Sequence, residues 1–401
     1  MLSLGRHYDL QVNVCRTLTE FREICDVWDA LCCDAPVGGP SLSFRVLELL
    51  TQFFSNYKHL FIFLFYDGGR LVGGMPLMHA RPRMGQLDPL CSYLTSLQNW
   101  RTPVPTFPIL QGWGKRVWNS FLALLKSQKI KWNVVLLPQH RVREPEFGQH
   151  FIEGSLRAAR LPHVIHFHEV GLVSLEGDFA AYARRLKGHF RRGIERQIRR
   201  LEQRGSLRLV GVTDRERVTN AFEEFCRLED LTWKGSQGVS FLRKPADKSL
   251  ACDLFSYFAS LGKFICYNLL VKENLIASLL CHPDGDTVYA MKVSYDPAYS
   301  KFSPGNVLFW LVLRELFPRT DVRTFDFVGG VNQDHSYNKH FPSDFRQEAR
   351  IVIFNPRSVP AALARFSIAL GKGLKSRGVL KRTLLTLKRP WLFRKRERLQ
   401  S

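Results

Sequence analysis

The stretch that decides the fold is KFICYNLLVKENLIASLLCHPDGDTVYAMKVSY, residues 263–295, followed by DPAYSKFSPGNVLFWLVLRELF, residues 296–317. Its first part alternates segments that are apolar and rich in β-formers with residues that favour turns. The segments are 263–272, 275–282 and 287–295, and the turns are Glu273-Asn274 and Pro283-Asp284-Gly285-Asp286. This pattern predicts a three-stranded antiparallel meander that leads into a helix over residues 303–317.

The start of that helix has the composition of a phosphate-binding turn. Ser303 is suited to cap the helix, Pro304 suits the first helical position, and Gly305 lets a ligand approach the backbone closely. The N-terminus of a helix carries about half a positive charge and free N–H groups, which attract anions. Many ordinary helices also begin with Ser-Pro, so this turn by itself is either a phosphate-binding site or an ordinary helix start.

The rest of the chain predicts an α/β protein in two halves. The C-terminal half is expected to have strands at 163–175, 206–212, 323–328 and 348–354, and helices at 178–204, 213–232 and 247–261. The N-terminal half is expected to have helices at 18–33, 41–57, 113–128 and 146–160, a hairpin of strands 60–66 and 70–79, and a strand at 131–137. No internal repeat is obvious, although both halves contain a hairpin followed by a helix and a strand.

The net charge of +22 is concentrated in two segments. Residues 181–208 carry ten Arg or Lys against two Glu, and residues 361–401 carry twelve against one Glu. In 182–201 the apolar residues recur at helical spacing, so the arginines cover the remaining surface of the predicted helix. Such a helix is either an ordinary solvated surface or a face for a polyanion such as nucleic acid, anionic lipid or an acidic polymer.

The nine cysteines form no C-x-x-C pair and lie mostly in apolar runs, which favours reduced core residues and predicts no metal site. Residues 1–14 lack the apolar core of a signal peptide. The apolar run 60–66 is too short to span a bilayer, which needs about 20 residues. We therefore expect a cytoplasmic protein, possibly peripheral on the inner face of the membrane.

Four blocks of the sequence resemble the CelD-type, FemAB-like branch of the GNAT acetyltransferases, in the same order and spacing. They are the basic block 191–205, the block 225–235 with Leu228-Glu229 and Trp233-Lys234-Gly235, the block 295–305 with Tyr295-Asp296-Pro297-Ala298-Tyr299 and Phe302-Ser303-Pro304-Gly305, and the block 325–341 with Phe325-Asp326-Phe327-Val328-Gly329-Gly330 and Tyr337-Asn338-Lys339-His340-Phe341. The resemblance covers residues 163–355, and the first half fits it more loosely.

The resemblance implies a GNAT-like mixed central sheet flanked by helices, in two tandem lobes. Acetyl-CoA or another acyl-CoA would lie against the strand 287–295, where Val293 would contact it, and its pyrophosphate would rest on Ser303, Gly305 and Asn306. The usual GNAT loop, Gln/Arg-x-x-Gly-x-Gly/Ala, is absent here. The donor therefore stays open, because FemAB-type relatives use aminoacyl-tRNA.

Direct acyl transfer needs a base for the acceptor and a proton donor for the leaving thiolate. Asp326 lies in an apolar strand and would be a suitable base if it is buried, and Glu229 is the second candidate base. Tyr337 could protonate the thiolate. The candidate acceptor-binding residues are Trp233, Lys234, Lys292 and Lys339. Each of these residues could instead have a structural role, and His335 and His340 are interpreted as loop residues.

The C-terminal segment 361–401 interleaves leucines and aromatic residues with Arg and Lys. Trp391 and Phe393 beside Arg394-Lys395-Arg396 are typical of an interfacial segment that contacts anionic lipid. The alternative is a solvated tail or one docked on the core.

The sequence thus predicts an N-terminal lobe at 1–161, an acyltransferase domain at 162–356 and a basic tail at 357–401. The expected function is transfer of an acyl group from acyl-CoA to an amine or hydroxyl of a sugar, polysaccharide or envelope precursor. Two alternatives stay open: an aminoacyl-tRNA-dependent transferase, in which the basic segments bind tRNA, and a non-enzymatic protein that binds a polyanion or a membrane.

Overall fold

The computed structural model describes residues 1–36, 39–53, 59–80, 91–97, 106–142, 146, 148–330 and 339–366. Thirteen strands lie in these ranges. They are β1 Leu2–His7, β2 Leu10–Cys15, β3 Leu60–Asp67, β4 Arg70–Ala80, β5 Tyr93–Ser96, β6 Val134–Arg141, β7 His163–Ser174, β8 Leu207–Val212, β9 Ile265–Val271, β10 Asn274–Asp284, β11 Thr287–Tyr295, β12 Thr324–Gly330 and β13 Asp344–Phe354.

The helices lie on both faces of this sheet. They are α1 Leu18–Arg22, α2 Cys25–Asp34, α3 Phe44–Phe53, α4 Gly114–Ser127, α5 Leu156–Ala159, α6 Phe179–Arg185, α7 Gly188–Glu202, α8 Arg215–Asp230, α9 Trp233–Ser236, α10 Pro245–Ser260 and α11 Pro304–Leu316. Short 3-10 turns at Pro40–Leu42, Phe241–Arg243 and Pro297–Phe302 and a π-helical segment at Gly148–Ser155 complete the described elements.

All thirteen strands form one mixed sheet, in the order β1-β2-β3-β4-β5-β6-β13-β7-β12-β11-β10-β9-β8. Two neighbouring pairs are parallel, β5 with β6 and β11 with β12, and the others are antiparallel. A parallel pair needs a crossover connection. The helix α4 supplies it for the first pair and α11 for the second.

The strand order is symmetric about its centre, which reveals a repeat that the sequence does not make obvious. Each half has an antiparallel meander, then a crossover helix and a parallel strand, and ends in a long strand, β7 or β13. These last strands are exchanged, because β7 pairs with β12 of the second half and β13 pairs with β6 of the first. The mixed sheet of two tandem lobes is confirmed, while the boundaries at 161/162 and 356/357 stay predictions.

Local turn chemistry explains why both predicted hairpins are present. Gly68 and Gly69 form the two-residue turn between β3 and β4, with φ angles of 52° and 87°. Two successive positive φ angles match the right-handed twist of a hairpin, and glycine adopts them without steric cost. The meander β9-β10-β11 has the predicted order and antiparallel pairing.

The prediction of one long helix over residues 178–204 is wrong. The chain forms α6 and α7, and Leu186 and Lys187 between them are not helical, with ψ angles of 152° and 125°. Gly188 follows directly, and glycine lowers helix propensity at this point. The apolar spacing continues across the break because both helices pack on the same core, which contains Tyr182 and Ile194.

Two further predictions about the N-terminal half need correction. Residues 18–33 form two helices, α1 and α2, because Glu23 and Ile24 separate them. Thr17 and Glu20 make a capping box at the start of α1. The hairpin of β1 and β2 was not predicted at all, although β2 alternates buried and half-buried residues as a sheet strand does.

Each face of the C-terminal lobe has its own helical layer. The helices α8 and α10 pack on the face that joins the core of the N-terminal lobe, whereas α7 and α11 pack on the opposite face. The two lobes also meet through α3 and α10. Within the described ranges, no helix is both long and apolar enough to cross a membrane.

A buried histidine joins the lobes. The Nε2 atom of His282 lies 3.1 Å from the Ser41 hydroxyl, and its Nδ1 atom lies 2.8 Å from the Lys263 carbonyl. A carbonyl can only accept, so Nδ1–H donates to it and Nε2 accepts from Ser41, which describes a neutral imidazole. The pKa of His282 is lowered to about 4, mainly by burial. The hydrogen bond to the Lys263 carbonyl opposes this shift, and the charge of Lys263 adds to it.

We expect this histidine to make folding stability depend on pH. The unfolded chain, with an ordinary pKa near 6.5, binds the proton more readily than the folded chain. The stability that the buried neutral His282 contributes is therefore complete above pH 6.5 and is lost as the pH falls towards 4. The free energy of unfolding should fall by about 2 kcal/mol between pH 7 and pH 5. Urea unfolding at the two pH values measures it. A His282→Gln variant should lose this share of the dependence, whereas His163→Gln should keep it; equal slopes in all three proteins would contradict the assignment.

Candidate active site

A gap opens in the sheet where β11 and β12 separate. The two strands pair only from Thr287 with Thr324 to Tyr289 with Asp326. Beyond that point β11 continues to Tyr295 along β10, and β12 continues to Gly330 along β7. The backbone edges of the two strands that face each other here are left without a strand partner. Such a divergence of parallel strands offers an extended ligand a path between them, with backbone groups available on both sides.

The backbone of β12 is strained at this gap. Val328 has a φ of 58°, which is rare for a β-branched residue. Its N–H donates to Oδ1 of Asp326 at 2.8 Å, so the carboxylate holds the distorted turn in place. Strain of this kind tends to occur at functional sites, where the surrounding structure maintains it.

Asp326 is buried, with no exposed surface, but it is not isolated. Its Oδ2 accepts a hydrogen bond from Nη1 of Arg346 on β13, and Nη2 of Arg346 donates to Oε1 of Glu348 at 2.8 Å. Glu348 also lies 3.1 Å from Nε2 of His168. The predicted burial of Asp326 is thus present, but the carboxylate is also paired with Arg346, and its role as a base stays a prediction. Its contacts are those of a positioning residue.

The charged groups of this network stabilise one another. Burial alone would lower the pKa of Arg346, but the Asp326 and Glu348 carboxylates raise it well above its ordinary value. Burial alone would raise the pKa of Glu348, but the His168 hydrogen bond and the Arg346 charge hold it below its usual range. Arg346 and Glu348 are therefore both charged, within a network that spans β12, β13 and β7 at the centre of the sheet.

The start of α11 lies at the end of the strand that borders the gap. Ser303 adopts a left-handed conformation, with φ 50° and ψ 52°, and its side chain makes no capping bond. The prediction that Ser303 caps the helix is therefore wrong, while Pro304 does occupy the first helical position. A Cβ built on Gly305 would meet only Tyr295, at 3.9 Å. In the described part of the chain, the first turn of the helix is therefore open at Gly305, and Asn306 beside it is half-buried.

Basic side chains border this helix start. The guanidinium groups of Arg200 and Arg204 lie 5.1 and 4.8 Å from the ring centre of Phe302, and Nζ of Lys301 lies 5.4 Å from it. Phe302 is buried and is followed directly by Ser303. The helix α7 also packs against α11. Its C-terminal end therefore brings positive charge to the point where α11 exposes its N–H groups.

The other end of α7 brings further cations to the end of β12. Phe190 stacks on His340 with ring centres 4.7 Å apart, and it contacts Phe341, which packs on Phe327 of β12. Burial lowers the pKa of His340, and the charges of Lys187, His189 and Lys339 lower it further. In the described part of the chain, the one ion pair that α7 makes joins Arg191 to Glu195 at 3.9 Å. Most of its positive charge is free to attract an anion.

A second buried carboxylate lies on the face of the sheet that α8 covers. Oε1 of Glu229 lies 2.7 Å from Nζ of Lys292 and 3.2 Å from Nζ of Lys234, and Oε2 accepts from the Phe241 backbone at 2.9 Å. Nζ of Lys292 also lies 3.6 Å from the ring centre of Phe241. Three residues predicted separately as site residues therefore form one cluster, which we call the Glu229 cluster.

Lys292 is the most perturbed cation of the Glu229 cluster. Burial lowers its pKa, and the Lys234 charge lowers it further, while Glu229 raises it. It lies on β11 beyond the point where β12 departs. It lies three positions along β11 from Tyr289, the register partner of Asp326. At 3.3 Å per residue, the backbone positions beside the two carboxylates are roughly 10 Å apart along the strand.

The connection between α8 and α10 is unusually apolar at its surface. Trp233 is 61% exposed, and Leu231 is 62% exposed. Val239 and Leu242 in the same connection are also exposed. The prediction left open whether Trp233 belongs to the core or forms a platform, and its exposure excludes the core. This surface lies directly beside Lys234 and hence beside the Glu229 cluster.

The comparisons with known proteins agree with this geometry. Residues 188–337 match the family model of the acetyltransferase (GNAT) domain. Residues 188–337 form a GNAT domain. No curated protein sequence matches the chain.

Solved structures extend the likeness to the whole fold. A crystal structure of FemX superposes with a TM-score of 0.54 at 11% identity, covering 83% of this chain and 95% of that one. A conserved protein of unknown function from Bacteroides thetaiotaomicron gives a TM-score of 0.52 at 11% identity, covering 86% and 100%. The chain therefore has the FemAB-like fold of the GNAT superfamily, and its GNAT domain makes it an acyltransferase.

The GNAT domain places the remaining predicted residues as follows. Val293 lies on β11 and packs towards the α11 face. Lys339 and His340 are both exposed, and His340 lies in a turn with its ring stacked on Phe190. Tyr337 and His335 lie outside the described residues. In the part of the chain that is described, no group of three metal-ligating side chains is present.

Sequence reasoning missed the residues that join Asp326 in this network. Arg346 and Glu348 are contributed by β13, which is distant in sequence, and the predicted strand began only at residue 348. The alternation of charged residues Asp344, Arg346, Glu348 and Arg350 along one face was the available signal. Alternating charges usually indicate a solvated face, so the pattern did not suggest burial. A cavity of about 320 Å³ lies at the C-terminal end of α11 and is lined in part by Glu176, but none of the described site residues lines it.

We expect Arg346→Met to destabilise the protein strongly. The substitution leaves the Asp326 and Glu348 carboxylates buried without their counter-charge, which typically costs about 3–5 kcal/mol. Denaturant unfolding at neutral pH measures the loss. Arg350→Met on the same strand is the matched control and should change stability by no more than about 0.5 kcal/mol. Equal effects of the two substitutions would show that the network contributes nothing.

Proposed function

We propose that the chain transfers an acyl group from acyl-CoA, with acetyl-CoA as the first candidate, to an amine or hydroxyl acceptor. The observation that carries the proposal is the gap between β11 and β12, which leads to the uncapped start of α11. The pantetheine arm would lie in the gap along Val293, and the pyrophosphate would rest on the N–H groups of Gly305 and Asn306. Arg200, Arg204 and Lys301 would neutralise the phosphates.

The acceptor would approach from the Glu229 cluster. Its nucleophilic nitrogen or oxygen attacks the thioester carbonyl, the C–S bond breaks, and CoA departs as a thiolate. Glu229 takes the proton that the acceptor loses, and Tyr337 donates one to the thiolate. Lys234 and Lys292 hold the Glu229 carboxylate in place through ion pairs at 3.2 and 2.7 Å. Asp326 acts through Val328, by holding the backbone of β12 away from β11.

The chemistry of the site favours an acceptor with polar and ring surfaces, such as a sugar, a polysaccharide or an envelope precursor. Exposed Trp233 beside Lys234 offers a ring for stacking and a cation for an acidic group. Lys339, at the other end of the site, would bind a second negative charge. The contact of residues 361–401 with an anionic membrane remains a prediction, since residues 367–401 lie outside the described structure.

Donor binding is tested by thermal shift and calorimetry with acetyl-CoA. At a hundred times Kd, binding should stabilise the protein by about 2.7 kcal/mol. The double variant Arg200→Glu/Arg204→Glu should weaken binding at least tenfold, because it reverses the charge beside the start of α11. Arg319→Glu, at the other end of α11, is the control and should bind as the wild type does.

The same experiment separates the two donors. The basic face of α7 is long enough to contact a polyanion larger than CoA, which is the specific observation in favour of aminoacyl-tRNA. If tRNA binds in a salt-sensitive way that the double variant loses, and acetyl-CoA does not stabilise the protein, the donor is aminoacyl-tRNA and not acyl-CoA. Failure of both ligands to bind would contradict the assignment of this gap as the donor site.

We expect Glu229→Gln to abolish most of the chemistry without preventing donor binding. Loss of a general base typically lowers the rate about 10²–10⁴-fold. Acetyl-CoA turnover with an amine acceptor gives kcat, and calorimetry gives the donor Kd. Glu223→Gln is the matched control, since Glu223 lies on the same helix and pairs with Lys248 at 2.6 Å on the surface. A kcat for Glu229→Gln within a factor of three of the control would exclude Glu229 as the base.

A further inference from the structure

The two lobes contain the same supersecondary unit, so each lobe has a helix start in the position proposed for donor phosphate. In the N-terminal lobe β5 and β6 pair in parallel over three positions, from Tyr93 with Val134 to Thr95 with Leu136. In the C-terminal lobe β11 and β12 also pair over three positions. The crossover helices α4 and α11 join the strands of the respective pairs. The beginning of α4 is thus the counterpart of the beginning of α11.

A side chain of the protein itself already covers the start of α4. Oε1 of Glu146 accepts a hydrogen bond from the Gly112 N–H at 2.7 Å, and Oε2 accepts one from the Gly114 N–H at 2.6 Å. Gly114 is the first residue of α4. The carboxylate therefore makes the two-pronged contact with backbone N–H groups that a phosphate makes at a helix N-terminus.

Glu146 itself occupies the space at the start of α4. Glu146 is only 9% exposed, and its backbone carbonyl accepts from Nε1 of Trp118 at 3.0 Å. A Cβ on Gly114 would lie 2.3 Å from the Glu146 carbonyl and 2.7 Å from Oε2. Glycine is required at residue 114 because Glu146 lies so close to the helix backbone.

The start of α11 differs in each of these respects. Within the described residues, Ser303 makes no capping bond there, and the space at Gly305 is open to 3.9 Å. Its nearby charged groups are the cations Arg200, Arg204 and Lys301. At α4, Arg116 already pairs with Asp9 at 2.6 Å and Asp67 at 2.9 Å. The start of α11 can thus bind an external anion, whereas the start of α4 already binds the carboxylate of Glu146.

We propose that the N-terminal lobe is a closed copy of the donor site, in which the Glu146 carboxylate occupies the phosphate position. Each chain then binds one acyl donor, at α11, and the N-terminal lobe supports the fold and the acceptor side. The identity of the ligand at α11 rests on the proposed function. The closure of α4 by Glu146 does not, because it is a contact within this chain.

The first test replaces Glu146 and supplies a small carboxylate from solution. Glu146→Ala removes the anion and leaves space for one, so Tm should fall by several degrees. Sodium acetate should restore part of that loss, beyond its effect on the wild type and beyond sodium chloride at the same ionic strength. Glu146→Gln should also lose stability but should not respond to acetate, since its amide still fills the space.

The second test counts donor molecules on the wild-type chain and does not depend on any variant folding. Calorimetry with acetyl-CoA should give one site per wild-type chain. Two sites per wild-type chain, or the same Tm for Glu146→Ala and wild type, would overturn the closed-site proposal. If acetyl-CoA does not bind at all, the proposed donor is wrong, while the acetate experiment still decides whether Glu146 seals α4.

Discussion

The interaction on which the structure depends is the exchange of β7 and β13 at the centre of the sheet. β13 lies between β6 and β7, and β7 lies between β13 and β12. Each lobe therefore completes its sheet with the last strand of the other lobe. Arg346 reinforces the exchange, because it is on β13 and binds Asp326 of β12. A change that loosens this centre therefore affects both lobes and also the backbone of β12 at the gap.

The gap follows from the way β12 is held on both sides. Up to Asp326 the strand pairs with β11, and beyond it Val328 takes a conformation that an ordinary strand does not allow. The Asp326 carboxylate satisfies the Val328 N–H that would otherwise lack a partner. Burial of a charged group is tolerated here because Arg346 compensates it. The same residue therefore links the stability of the sheet centre to the shape of the candidate donor site.

Charge distinguishes the two faces of the GNAT domain and the two lobes from each other. On the α11 face, α7 presents cations at both ends, next to Phe302 and next to His340. On the α8 face, the Glu229 cluster combines one carboxylate with two lysines under an exposed apolar connection. The N-terminal lobe has the same backbone arrangement but holds its own carboxylate, Glu146, where the C-terminal lobe leaves a helix start uncovered. Asymmetry between the repeats thus arises from a few side chains and not from the topology.

The sequence by itself determined the features that depend on neighbouring residues. The meander β9-β10-β11, the β3-β4 hairpin turn at Gly68-Gly69 and the position of Pro304 at the start of α11 follow from turn chemistry and apolar spacing, and the motif blocks already indicated the GNAT domain. The sequence also identified Glu229, Lys234 and Lys292 as site candidates, although it could not show that they form one cluster. Only the tertiary structure decided which charges are compensated, because Arg346 meets Asp326, and Glu146 meets Gly114, through strand and helix packing between distant segments. Local pattern carries no information about such contacts, since the partner of a buried charge is selected by the register of the sheet.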